Sequence, residues 1–334
     1  MRHQKKILAG MLIVSLAGTA GCGLLSKTSS PIDPPPSGAN QAMDKKTETM
    51  AATLYYKDDK GFVVPLRVHI PKAEAPATQA LNFMTPENSK ELLKDTGLHP
   101  VIPAGTKMSV DIKDNTATVN FSKEITEMRV DTAERQLVDA VVWTLTEFPT
   151  IKQVQFKVNG NIIPYMPVSK IPIGQPLTRA NGINLQVAPN INPAETTRLT
   201  LYFQGSNKDG SFSYLVPVTR LIGKTQEDKI KATIEQLVAG PFTSGLKATL
   251  SPATKLVNVT KSGDTVNLDF ENLMGEGSAT EQIKLIHSIV LSVLDNTTEQ
   301  KVKIAVNGKP PVTTPGLDLS KPVVRPQIIN QKQL

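Results

Sequence analysis

The sequence predicts an α/β (α+β) fold: two tandem copies of a small two-layer α/β sandwich, each running ββαββαβ with two helices on one face of its sheet. Three observations carry that expectation. The chain repeats itself, since "VQFKVNG" at 154–160 returns 148 residues later as "VKIAVNG" at 302–308. Each copy mixes apolar runs of period two with longer stretches of period 3.6, the signatures of strand and helix. Two amphipathic helices cover one face of an antiparallel sheet and leave the other wet, which makes a two-layer sandwich.

The repeat runs well beyond its closing motif. At the same offset Leu137/Leu285, Val142/Val290, Val154/Val302, Val158/Val306, Asn159/Asn307 and Gly160/Gly308 are identical. Val138/Ile286, Val141/Ile289, Leu145/Val293 and Phe156/Ile304 keep the apolar class. With a few residues of slip, "TLYY" (53–56) meets "TLYF" (200–203), and "FVVPLRV" (62–68) meets "YLVPVTR" (214–220).

Taken in order, residues 1–21 read as a lipoprotein signal peptide. A basic head, "MRHQKK", precedes "ILAGMLIVSLAGTA", roughly 14 apolar or small residues, short of the about 20 that span a bilayer. Ala20-Gly21-Cys22 fits the end of a lipobox, although Thr19 stands where an aliphatic residue is usual. Cys22, the single cysteine, is therefore the expected lipid attachment site, carrying diacylglycerol on sulfur and an acyl chain such as palmitate on the new N-terminus. Each buried CH₂ contributes about 0.8 kcal/mol, so two or three chains make a durable membrane anchor. With that thiol consumed, neither a disulfide nor a thiolate metal cluster is expected. Residues 22–52 are Ser/Pro-rich and aperiodic, a tether with an end-to-end distance of about 25–35 Å. Two bodies follow, 53–160 and 198–308, separated by a Pro-rich linker, 161–197, and trailed by a Pro-rich tail, 309–334.

In the second body "LTLYFQ" and "FSYLVPVTRLI" alternate as strands around the turn "GSNKDGS". A helix follows, with Thr225 as N-cap, Asp228 three residues on, Ile230, Ile234, Leu237 and Val238 on one face, and Gly240-Pro241 as the stop. Strands "TKLVNVTK" and "TVNLDFE" flank "SGD". A second helix starts at a Ser278…Glu281 capping box, and "KVKIAVNG" closes the copy. The first body repeats this with Asp131…Glu134 as its box, and Pro86 breaks its first helix in two.

The order of "TLYF", "LVPVTR", a helix ending "LVAGP", "SPATKL", "DTVNLDF", a helix and "VKIAVNG" resembles the GerMN domain family, here twice in tandem behind a lipoprotein signal. The first copy departs from the pattern, with "LNFMTPENSKELL" in place of an uninterrupted helix and Gly-Pro stop. The resemblance implies ring-building-motif-like domains and a non-enzymatic role in sporulation and germination. It implies assembly or localisation of the channel ring joining mother cell and forespore, with protein partners in the SpoIIIA–SpoIIQ complex. It also implies a place on the extracytoplasmic face of the mother-cell membrane, facing the intermembrane space around the forespore.

Signatures of chemistry are weak by comparison. A net charge of +7 gives mild attraction to anionic lipid, nearby peptidoglycan polymers or an acidic partner. No basic run interleaved with aromatics suggests nucleic acid. His3, His69, His99 and His287 show no metal-ligand spacing. Gly223-Lys224-Thr225 lacks the earlier glycine of a phosphate loop, since position 218 is Val. Gly275, Gly277 and Ser278 fail as a nucleophile elbow. Asp269 and Glu271 share a strand face, but their sisters are Asn120 and Ser122, so a solvated face is expected rather than a catalytic pair. The Val-Asn-Gly of each closing strand reads as a turn. No catalytic residue, cofactor or metal site is expected. The competing reading is an extracytoplasmic solute- or cell-wall-glycan-binding lipoprotein, disfavoured by 4 % aromatics. A wall hydrolase is weaker still.

Overall fold

The computed structural model describes residues 48–192, 194–273, 277–311, 316–327 and 329–331. The signal peptide, Cys22 and the tether up to residue 47 lie outside the described residues.

In the first copy β1 (Thr49–Asp58) and β2 (Val63–Pro71) form an antiparallel hairpin. Strand β1 starts four residues ahead of the sequence boundary at Thr53, because Met50 and Ala52 pair with Ile70 and Val68 and extend the ladder. Helices α1 (Pro76–Asn82) and α2 (Pro86–Leu93) follow, split at Pro86 as expected. Proline lacks the N–H an unbroken helix needs there, yet suits the first turn of α2. Then come β3 (Leu98–His99), β4 (Met108–Lys113), β5 (Thr116–Phe121), α3 (Asp131–Leu145) and β6 (Gln153–Val158). Between the copies lies β7 (Gln186–Val187). The second copy contributes β8 (Thr196–Ser206), β9 (Ser213–Gly223), α4 (Lys229–Ala239), β10 (Lys255–Ser262), β11 (Thr265–Glu271), α5 (Ala279–Asp295) and β12 (Lys301–Val306); the tail adds β13 (Val323–Val324).

The mixed α/β fold and the shared element order are present in both copies. The strands, however, divide between two sheets per copy. Hairpins β1–β2 and β8–β9 stand apart from β4-β5-β6 and β10-β11-β12-β13. In each latter sheet the closing strand of the copy runs parallel to the strand before it, β6 to β5 and β12 to β11, joined by a helical crossover. Hairpin and sheet cover different sides of the helices: α3 packs on β1, β2 and β6, and α5 on β8 and β12. This explains a run no amphipathic stripe would show. Every residue from Leu137 to Leu145 is buried, as is every residue from Ser288 to Val293, the mark of a helix enclosed all round.

Two expected details are corrected. The N-cap of α4 is Asp228, whose Oδ1 accepts from the Ile230 N–H at 2.7 Å, not Thr225. Helix α3 has no capping box, because Asp131 bonds only the adjacent Thr132 N–H and Glu134 is drawn inward to another partner. The Ser278…Glu281 box of α5 does form, with both reciprocal bonds. Residues 47–334 form one compact unit that holds both copies. Segment 161–197 is laid against that unit, with Met166, Ile171, Ile173, Leu177 and Ile183 buried in the same apolar core as both copies. Proline abundance signalled irregular backbone, and burial came from the aliphatics spaced between the prolines.

Candidate interaction site at the seam of the repeats

Strand β2 of the first copy lies beside β9 of the second, with Pro65 and Pro217 at equivalent positions in mid-strand. Two asparagines clamp this seam. Asn184, in the connecting segment, accepts from the Val63 N–H at 2.8 Å, and its amide donates to the carbonyls of Val63 and Pro217, each at 2.8 Å. Asn330, 146 residues later in the tail, accepts from the Leu215 N–H at 2.7 Å and donates to the carbonyls of Leu215 (2.7 Å) and Pro65 (2.8 Å). Val63 and Leu215 are repeat equivalents, as are Pro65 and Pro217. The clamps are therefore the same device with the halves exchanged, the pattern of a two-fold, self-complementary interface.

The connecting segment and the tail match in other ways. Leu177 bridges antiparallel to Val154 of β6, and β13 pairs antiparallel with β12. Two residues on, each carries an arginine into a duplicated triad. Tyr55 Oη donates to Glu147 Oε1 at 3.0 Å, and Arg179 pairs with the same oxygen at 2.5 Å while lying over the Trp143 ring at 4.5 Å. Tyr202 Oη donates to Asp295 Oδ2 at 2.8 Å, and Arg325 pairs with Asp295 Oδ1. Burial pushes both phenols above their usual range, so they stay protonated donors. The backbone repeats too: the N–H groups of Tyr55 and Tyr202 donate to Thr144 Oγ1 (3.1 Å) and Ser292 Oγ (3.0 Å).

Two buried charges tie the connecting segment to either copy. Glu134 accepts from the backbone N–H of Val168 at 3.0 Å and of Ser169 at 2.6 Å, fastening the connecting segment to α3. Arg220 of β9, fully buried, donates to Gln186 Oε1 (2.9 Å), Gly240 O (2.8 Å), and the carbonyl and side chain of Gln236. Phe242 lies 3.6 Å beneath it. Burial pushes this guanidinium down to about 10, which leaves it charged at neutral pH. Its position at the C-terminal carbonyls of α4 supplies the partial negative charge a carboxylate would otherwise provide. A cleft of about 350 Å³ opens beside the seam, lined by Gly61, Arg135, Asp139, Asn184 and Thr243 among others.

Several residues singled out in the sequence have a structural assignment. Asp269 Oδ1 accepts from the Gly308 N–H at 2.9 Å, and its sister Asn120 does the same for Gly160 at 2.7 Å. Both fasten the turn after the closing strand. Asn159 and Asn307 have φ of 47° and 52°, and Gly160 and Gly308 of 81° and 74°, so the Val-Asn-Gly motifs form tight two-residue turns with both central residues left-handed. Glu271 is exposed on the same strand. His99 pairs with exposed Asp59 at 2.7 Å, His69 is exposed on β2, and His287 lies on α5, where burial lowers its pKa. Among the described residues no cluster of three His, Cys, Asp or Glu could hold a metal ion. Cys22 lies outside them. The clamps and triads escape a sequence comparison that follows apolar positions only. The offset that aligns Val142 with Val290 also aligns Thr144 with Ser292 and Glu147 with Asp295.

Fold and seam together define a tandem-repeat α/β protein whose buried polar groups join its own halves. The family model Germane, described as sporulation and spore germination, matches residues 53–163 and 200–312. The chain is 34 % identical to the spore germination protein GerM of Bacillus subtilis (strain 168) over 97 % of each chain. It also matches the solved tandem GerMN domains of that species' sporulation protein GerM, at TM-score 0.76 and 33 % identity, covering 86 % of this chain and all of the other. The chain belongs to the Germane family, with a role in sporulation and spore germination.

Proposed function

We propose that this protein is a non-enzymatic, lipid-anchored scaffold of sporulation and germination. Cys22 holds it to the mother-cell membrane, and its paired domains support assembly or localisation of the channel ring between mother cell and forespore, with partners in the SpoIIIA–SpoIIQ complex. The observation that supports this reading is the use made of the polar side chains. Asn184, Asn330, Glu134, Arg220 and both Tyr–carboxylate–Arg triads are engaged with the chain's own backbone and side chains. A catalytic site instead needs groups presented to a substrate. Such a doubled, internally satisfied body presents surfaces, and the lipid would set the plane in which it presents them. Affinity capture of the intact protein from sporulating cells is the test. Recovery of channel components is expected, and recovery of wall enzymes alone would overturn the scaffold. For the anchor, Cys22→Ser should move the protein from the membrane fraction to the soluble fraction; retention in the membrane would rule out acylation as the tie.

A further inference from the structure

The turn end of the β8–β9 hairpin borders a cleft of about 500 Å³ that takes no part in the clamps or triads. Lys60, Lys247 and Lys284 line it, and Glu281 is the one carboxylate in its wall. The three lysines are fixed to one short stretch of ladder. Ser206 and Ser213 are cross-strand partners at the end of β8 and β9. Lys60 Nζ donates to the carbonyls of Ser206 and Gly245, each at 3.1 Å, and Lys284 Nζ is bonded to Ser213 Oγ. Lys247 exchanges backbone bonds with Gln204, two residues before Ser206, at 3.0 and 2.7 Å.

One carboxylate, Glu281, acts on these charges, through its field on Lys284. Among the described residues none of the three forms an ion pair. Glu281 is held in its capping box, where Oε2 accepts from the Ser278 N–H at 2.8 Å. Lys284 is half-buried, and burial lowers its pKa. Three lysines and one carboxylate around one concavity leave a net positive charge, and Lys284 is partly stripped of water, costs that a bound anion offsets.

We propose that this cleft binds a phosphate-bearing ligand. Lysines act as mobile point charges, suited to phosphate oxygens, where a planar carboxylate is the habitual match of arginine. The volume is in the range of small-molecule sites, about 300–1,000 Å³, and exceeds one inorganic ion. A phosphodiester segment fits that size and charge, whether from a lipid headgroup or a soluble ester. Lys60 comes from the first copy and its carbonyl partners from the second, so the ligand would bind across both and stabilise their union.

The test uses residues 47–334, which form a compact unit by themselves. Pyrophosphate is titrated calorimetrically at low ionic strength, and the same protein is co-sedimented with phosphatidylglycerol or phosphatidylcholine vesicles. Saturable pyrophosphate binding that raises the melting temperature, and that Lys247→Glu weakens about tenfold or more, is the expected result. Lys247 joins the fold through its backbone, so an unchanged unliganded melting temperature is expected for that variant. Capture by phosphatidylglycerol vesicles, lost in Lys247→Glu, assigns the phosphate to a headgroup; pyrophosphate binding without vesicle capture assigns it to a soluble ester. Absence of binding to either probe overturns the proposal. So does an equal loss in Lys113→Glu, on exposed β4, since that would reduce the effect to general charge.

Discussion

Asn184 and Asn330 hold φ of 47° and 54°, a left-handed backbone that Asn tolerates and Ala does not. Each then spends its whole amide on peptide groups of β2 and β9. The two roles separate by substitution. Asn184→Gly keeps the backbone conformation but leaves three peptide groups without partners, and should cost about 1–3 kcal/mol in a denaturant midpoint. Asn184→Ala should cost about 1 kcal/mol more from the left-handed strain. Equal costs for the two would mean that the strain does not matter. Asp139, at the back of the seam cleft, carries a pH dependence. Burial raises its carboxyl from 3.8 to about 7, against the opposing pull of Arg135 and the Asn184 backbone. Between about pH 4 and 7 the folded chain therefore holds a proton that the unfolded chain has released, so this group's contribution falls as pH rises through that window. Asp139→Asn should flatten the loss, stabilising the protein at pH 8 far more than at pH 5. The ceiling is about 4 kcal/mol, since each tenfold difference in proton affinity between folded and unfolded chain is worth about 1.4 kcal/mol. A wild-type melting curve unchanged from pH 5 to 8 would contradict it.

Among the elements, the tail changes most in meaning between sequence and structure. Its prolines read as a trailing irregular segment, and its backbone is largely irregular: β13 is two residues long. The same segment supplies Arg325 to Asp295, Asn330 to the seam, and buried Leu319 and Ile329. Deleting residues 312–334 should therefore lower the melting temperature by well over the effect of Arg325→Ala alone, which removes one partly buried ion pair worth about 1–3 kcal/mol. A truncated chain that melts with the wild type would show that the tail is an ornament. The helices were legible because apolar residues recur every three or four positions in α4 and α5, and Pro86 marked the break between α1 and α2. The expected Asp131…Glu134 box was not, because Ser169 and Val168 compete for Glu134 from 34 or more residues away. Local pattern cannot rank a cap against a partner that only folding brings near.

For the whole molecule, the exchanged clamps imply that one chain contains a dimer of its own repeats. An isolated second repeat with its tail, residues 196–334, keeps Asn330 and Leu215 but exposes the β9 surface that β2 covers in the intact chain. A self-complementary interface of this kind should pair two such fragments. Analytical ultracentrifugation is expected to show a concentration-dependent dimer, abolished by Asn330→Ala; a monomer at every concentration would refute the two-fold reading. The intact chain satisfies the same interface internally and leaves sheet edges, helix flanks and the lysine cleft for other molecules.

By itself the sequence determined the duplication, the order of strands and helices, the Val-Asn-Gly turns and the family, because each is written in local periodicity or in residues that recur at a fixed spacing. Tertiary structure alone decided that the two copies share one core, that the strands of each copy split into two sheets, that Glu134 and Arg220 tie down the connecting segment, and that Asn184 and Asn330 hold the halves together. Those outcomes depend on which buried polar group finds which partner. A group taken from water must bond to something nearby, and in a folded chain nearness is set by packing and not by position in the sequence.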